Sequence, residues 1–63
     1  MVVVIGIACR MDNSDNIVIK NKSKTLFSGS VGFLKRYRDD LHRFVVSNLK
    51  VIDGKVNLEV IEQ

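Results

Sequence analysis

The feature that most constrains the fold is Asp53-Gly54, which separates two apolar stretches near the end of the sequence. Asp-Gly suits a type I′ turn, the two-residue loop whose backbone twist matches that of an antiparallel hairpin. Such a loop aligns the apolar residues of the two stretches as pairs, Val51 with Val56 and Leu49 with Leu58. The pattern therefore predicts a hairpin over residues 49–60. In the alternative, a preceding helix continues to residue 52 and Asp-Gly forms its exit.

The chain is short, and its 63 residues predict a single domain over residues 1–63. A chain of this size buries only about 60% of its unfolded surface, so its stability is marginal. Cys9 and His42 are the only cysteine and histidine, and neither a disulfide framework nor a metal is therefore expected to add stability. Oligomerisation is another way to gain burial. We accordingly expect a homodimer or a stable protein partner.

The chain is apolar up to Cys9 and rich in β-branched residues there, which predicts an interior strand over residues 2–10. Both faces of such a strand are apolar, and a single helix covers only one face of a sheet. The uncovered face carries the interface candidates Val3, Ile5 and Ile7. The run is too short to span a membrane and lacks the basic start of a signal peptide, so we expect a cytoplasmic protein with no membrane contact.

The middle of the chain predicts a second strand and a helix. The strand covers residues 17–20 and extends to 27 if a kink near 21–23 is tolerated. Ser28 or Ser30 then caps a helix over residues 31–48, with Phe33 and Tyr37 on its apolar side. The resulting fold class is α+β: a small antiparallel sheet with one helix packed on one face, in the order β-β-α-β-β or β-β-α-β.

Charge is distributed unevenly along the chain. Residues 16–38 hold six Lys or Arg residues and no acidic residue, whereas the remainder holds four basic and all seven acidic residues. An anionic partner suits such a segment. On an extended strand, three alternating lysines point the same way, and two basic residues early in the helix extend the patch. These phosphate- or partner-contact candidates are Lys20, Lys22, Lys24, Lys35 and Arg36. Protection of a sheet edge by lysines is the alternative explanation.

The sequence shows no catalytic constellation, so we expect no enzyme, cofactor or small-molecule substrate. His42 is predicted to lie on a polar helix face without an oriented partner, and Cys9 to end an apolar strand. A helix-turn-helix needs a second helix, and zinc-finger spacing is absent. Three of the four aromatic residues are predicted to face the core, which argues against a base-stacking surface.

Two functional hypotheses follow from these patterns. The first is a non-enzymatic protein-interaction module that binds through a sheet edge or the apolar first strand, with its basic surface matching an acidic partner. The order of elements is similar to that of small binding proteins such as phage- or plasmid-encoded inhibitors and adaptors. The alternative is a nucleic-acid-binding protein that contacts phosphates through its lysine and arginine patch.

Overall fold

A computed structural model describes residues 2–22 and 24–61, which form a four-stranded sheet with short helices on one face. In chain order the elements are α1 (Val4–Ala8), β1 (Asn16–Asn21), β2 (Lys24–Ser30), α2 (Val31–Tyr37), a 3-10 turn (Asp39–Leu41), β3 (Val45–Ile52) and β4 (Lys55–Ile61). Across the sheet the strands lie in the order β2-β1-β4-β3. The predicted α+β class is confirmed, as is the order β-β-α-β-β around α2.

The sheet combines antiparallel and parallel pairs. The β1–β2 and β3–β4 pairs are antiparallel hairpins, whereas β1 pairs with β4 in parallel, with Ile17 opposite Val56 and Ile19 opposite Leu58. The sheet is therefore mixed rather than wholly antiparallel as predicted. The parallel pair lies at its centre, and β2 and β3 form its two edges.

The C-terminal hairpin matches its prediction residue for residue. Val51 pairs with Val56 and Leu49 with Leu58. The turn residues Asp53 and Gly54 have φ angles of 53° and 76°, the left-handed values that a type I′ turn requires. Helix does not extend into residues 49–52, so the alternative interpretation is wrong.

Residues 2–10 are not a strand, which corrects the first prediction. The helix α1 occupies most of this segment, and Val3 keeps only a single antiparallel bridge to Val45. The N–H groups at the start of α1, which have no partner within the helix, donate to backbone carbonyls: Val4 N to Phe44 O at 3.0 Å and Ile5 N to His42 O at 3.1 Å. A short apolar run fits a buried strand or a buried helix equally well by periodicity. Here the carbonyl groups of His42 and Phe44 accept the first N–H groups of a helix, which favours the helix.

The helix α2 is much shorter than the predicted helix over residues 31–48. It begins where expected, with the Ser30 Oγ accepting the Phe33 N–H at 3.2 Å, but Arg38 leaves helical geometry with φ −125° and ψ 51°. Residues 45–48 instead extend the terminal hairpin, and Val45 lies opposite Ile61. Two β-branched residues, Val45 and Val46, favour a strand there once a partner strand is present.

The core lies between the helices and one face of the sheet. Within the part of the chain that the structure describes, it contains ten buried apolar residues, drawn from both helices, the 3-10 turn, and strands β1, β2 and β4: Val4, Ala8, Ile17, Ile19, Phe27, Val31, Leu34, Leu41, Leu58 and Val60. The strand β3 contributes no fully buried residue. The opposite face of the sheet carries no helix among the described residues.

Candidate functional site

The three lysines predicted to form one row do not lie on a single strand. Lys20 is in β1, Lys24 begins β2, and Lys22 lies between them in a turn with a φ of 57°. The predicted kink near residues 21–23 falls where β1 ends and β2 begins, and Ser23 itself lies outside the described residues. Because β1 and β2 pair through Lys20 with Thr25 and through Asn21 with Lys24, the first and third lysines point to opposite faces of the sheet.

Two of these lysines border a shallow concavity on the uncovered face of the sheet. Lys20 and Lys22 line it from one side and Lys50 from the other, with Glu59 between them on β4. Lys20 lies directly beside Glu59 in the parallel pair. This carboxylate reduces the net positive charge of the concavity, which weakens the case for a dedicated phosphate site here.

The other two basic candidates, Lys35 and Arg36, lie on α2 and border a different concavity. It has a volume of about 510 Å³, and Phe33 and Tyr37 also line it. The five predicted contact residues therefore form two groups rather than one patch. The second group differs from the first in combining cations with aromatic rings.

Phe33 and Tyr37 are exposed, which contradicts their predicted place in the core. Their exposed fractions are 50% and 60%. The ring centroids of the two residues lie 4.8 Å apart, and Phe33 also stacks on the buried Phe27 at 6.0 Å with an interplanar angle of 19°. The Arg36 guanidinium carbon lies 5.9 Å from the centre of the Tyr37 ring. We call Phe33, Tyr37, Lys35 and Arg36 the aromatic-basic surface.

The aromatic-basic surface was missed because the helix was predicted to be too long. In α2 the buried residues are Val31 and Leu34, three positions apart, and they leave Phe33 and Tyr37 on an adjoining side. In a longer helix those aromatic residues fall within a wide apolar stripe. Asp39-Asp40 could have indicated that the helix ends near residue 38. Acidic residues at a helix C-terminus interact unfavourably with the helix macrodipole.

Arg38 and Asp40 form the one ion pair found within residues 2–22 and 24–61. The Arg38 Nε donates to Asp40 Oδ1 at 3.1 Å, and Nη2 donates to Oδ2 at 3.2 Å. The bond to Arg38 lowers the pKa of the Asp40 carboxyl below its ordinary value, and the pKa of Arg38 is raised in turn. Both groups are solvent-exposed, so the pair mainly neutralises local charge. Neither Lys35 nor Arg36 forms an ion pair with a carboxylate of the described residues.

The outer edge of β3 is a third surface. Residues 47–52 are exposed, and Leu49, Val51 and Ile52 have exposed fractions of 47%, 66% and 51%. Residues 2–22 and 24–61 cover only the start of this edge, where Val46 N donates to Val2 O at 2.8 Å. The sequence predicted binding through a sheet edge or the first strand, but it did not identify β3 as that edge.

An apolar groove adjoins the same edge. Its volume is about 450 Å³, and Val2, Val3, Gly6 and Ile7 line it opposite Leu49. Two of the predicted interface candidates, Val3 and Ile7, therefore border it, although from a helical segment rather than a strand. The third candidate, Ile5, is half-buried and packs against the core.

The residues that suggested chemistry do not converge on a reaction centre. The His42 Nε2 lies 3.1 Å from Leu34 O and donates to it, because a carbonyl can only accept. Cys9 is exposed at the end of α1 instead of ending a strand. Over residues 2–22 and 24–61, no three metal-ligating side chains lie close enough to hold an ion. The same residues contain no helix with the length and apolar character needed to cross a bilayer.

No protein-family model, curated protein or solved structure matches this chain. A functional interpretation therefore depends on the three surfaces alone.

Proposed function

We propose that this chain is a non-enzymatic protein-interaction module that pairs the outer edge of β3 with an extended strand from a second copy of itself. The observation that carries the proposal is the exposure of Leu49, Val51 and Ile52 along this edge. An edge strand presents unpaired backbone groups, and natural proteins usually protect long apolar edges. Beyond the bulge in β3, this edge carries a single charge, that of Lys50, among exposed apolar residues, and such an edge suits strand addition.

After residue 46, backbone groups on the outer edge of β3 can pair with a second strand. The Leu49 N–H is accepted only locally, by Asn48 Oδ1 of the preceding residue at 2.9 Å. Asn48 releases this N–H by rotating its side chain. Ser47 is the bulged residue of β3, and its Oγ donates to Glu59 O at 3.1 Å. That bond anchors the start of the free edge to β4.

The groove beside β3 adds an apolar surface to the backbone contacts. Its walls are α1 and the side chains of Leu49 and Val56, so a strand paired with β3 lies next to it. Burial of apolar surface contributes roughly 25 cal/mol per Å². Such burial suits a chain of 63 residues, which has a small core.

The charge pattern of β3 favours an identical strand as its partner. Lys50 is the only charged residue in Val45–Ile52. An antiparallel alignment centred on Leu49 places Lys50 of one copy opposite Asn48 of the other, which avoids like charges. It also forms one continuous eight-stranded sheet, since each copy contributes four strands.

The test is the molar mass in solution of the wild-type chain and of Val51→Lys, measured by light scattering after gel filtration. We expect the wild type to show twice the chain mass of 7.1 kDa. Val51→Lys places a charge on the paired edge and should give a monomer. Measurements extend to about 1 mM, where even a millimolar-affinity dimer is substantially populated.

Ile61→Lys is the matched control, because Ile61 is 52% exposed but lies on β4 rather than on the free edge. We expect this variant to remain dimeric. Circular dichroism checks that all three proteins are folded. A monomeric wild type at every concentration, or a Val51→Lys variant that remains dimeric, contradicts the proposal.

A further inference from the structure

We propose that the aromatic-basic surface of α2 binds single-stranded nucleic acid, with bases stacking on Phe33 and Tyr37 and phosphates meeting Lys35 and Arg36. This inference concerns a different surface and a different partner from the β3 edge, and it does not depend on self-association. It also relocates the phosphate-binding hypothesis from the lysines of β1 and β2 to the helix.

The aromatic rings form a supported cluster that ends in solvent. Phe27 is only 7% exposed and anchors the cluster, Phe33 stacks on it, and the Tyr37 ring lies 4.8 Å from Phe33 at an interplanar angle of 46°. The rings therefore need little ordering before a base is bound. Exposed aromatic faces are the sites on which unpaired bases stack, and each stacked base contributes about 1–3 kcal/mol in proteins of this type.

The two cations of the aromatic-basic surface form no ion pair within residues 2–22 and 24–61. The helix Val31–Tyr37 contains Lys35 and Arg36 and no acidic residue. Two acidic residues follow in the 3-10 turn: Asp40 pairs with Arg38, and the exposed Asp39 offsets one positive charge of the helix. The guanidinium of Arg36 lies over Tyr37, so a base on this ring and a phosphate on Arg36 would be adjacent.

The combination of rings and cations favours a nucleic-acid partner over a protein partner. A single strand supplies flat rings and anions in every repeat, whereas a protein must present acidic and aromatic side chains together. Duplex DNA is less suitable, because its bases are already stacked. The concavity, which Asn13 and Gly32 also line, is open to solvent and admits a flexible strand.

The experiment uses fluorescein-labelled oligo(dT) and a duplex of equal length, with binding followed by anisotropy at about 50 and 200 mM salt. We expect micromolar binding of oligo(dT) that weakens at the higher salt, and weaker binding of the duplex. Tyr37→Ala should weaken oligo(dT) binding about tenfold, as loss of one stacking residue does. Tyr37 is the only tyrosine, and the chain has no tryptophan, so quenching of intrinsic fluorescence by unlabelled oligo(dT) reports on this surface directly.

Arg36→Gln and Lys22→Gln form the matched pair for the charges, because each removes one cation and only the first lies on α2. We expect Arg36→Gln to weaken binding several-fold and Lys22→Gln to change it little. The proposal is overturned if oligo(dT) does not bind at low salt, if Tyr37 fluorescence is unaffected, or if Lys22→Gln weakens binding while Tyr37→Ala does not. Gel filtration of the same variants shows whether the dimer persists independently.

Discussion

At the residue scale, two helical glycines have opposite surroundings. A Cβ on Gly32 would lie 3.1 Å from Asn13 Cβ and 3.2 Å from Asn13 O, whereas a Cβ on Gly6 would meet only Val3 Cγ2 at 4.0 Å. Asn13 O cannot easily move, because it accepts the Gly32 N–H at 3.0 Å. Gly32 thus permits the loop before β1 to pack closely on α2.

These surroundings predict effects of opposite sign for the same substitution. Gly32→Ala should destabilise the fold by about 1 kcal/mol, because crowding against a fixed backbone exceeds the gain in helix propensity. Gly6→Ala should stabilise it by about 0.5–1 kcal/mol, since the methyl group has space and the unfolded chain loses freedom. Urea denaturation measures both. An increase in stability for Gly32→Ala would show that the Asn13 loop yields.

At the element scale, both hairpins depend on residues with positive φ. The β3–β4 turn places Gly54 at 76°, where a Cβ would meet nothing within 4 Å. The β1–β2 turn instead uses Lys22 at 57°, a conformation that costs a side-chain-bearing residue about 1–2 kcal/mol. The β3–β4 turn therefore has glycine, the residue favoured at positive φ, whereas the β1–β2 turn has a lysine there.

The corresponding substitutions should again differ in sign. Gly54→Ala should destabilise by about 1 kcal/mol through backbone strain alone, because the site has room for a methyl group. Lys22→Gly should stabilise by about 0.5 kcal/mol, after the greater freedom of glycine in the unfolded chain is subtracted. Thermal and urea unfolding of the two variants test this. Equal effects of the same sign would disprove the assignment of strain to Lys22.

The elements that could be predicted from the sequence are those fixed by neighbouring residues. The Asp53-Gly54 turn determines its own hairpin register, and Ser30 caps α2 locally. The segment at 2–10 could not be assigned, because its choice between strand and helix depends on acceptors from His42 and Phe44. The exposure of Tyr37 could not be predicted either, because it depends on the early end of α2. The predicted helix is shortened because residues 45–48 belong to β3.

At the scale of the whole molecule, stability rests on a small core, in which ten of the described residues are buried. Proteins have about 0.05–0.15 kcal/mol of stability per residue, which for this chain gives about 3–9 kcal/mol. Ile19 is fully buried in β1 between β2 and β4. A single cavity at this position therefore removes a large fraction of the total.

Ile19→Ala should lower the free energy of unfolding by about 2–5 kcal/mol and leave a substantial unfolded population at 25 °C. Ile61→Ala is the matched control, because Ile61 is 52% exposed, and it should cost about 1 kcal/mol or less. Circular dichroism during urea titration measures both. Comparable losses for the two variants would show that the core is not concentrated beneath α1 and α2.

The central position of β4 determines when the chain can fold during synthesis. β4 leaves the ribosome after every other strand of the sheet, yet it lies between β1 and β3. Ile17 of β1 pairs with Val56 of β4, which is synthesised 39 residues later. The β1–β2 hairpin and α2 are therefore made before the strand that completes their core. Such a long-range contact forms slowly. The apolar residues of β1 that face the core consequently lack the cover of β4 until that strand has emerged.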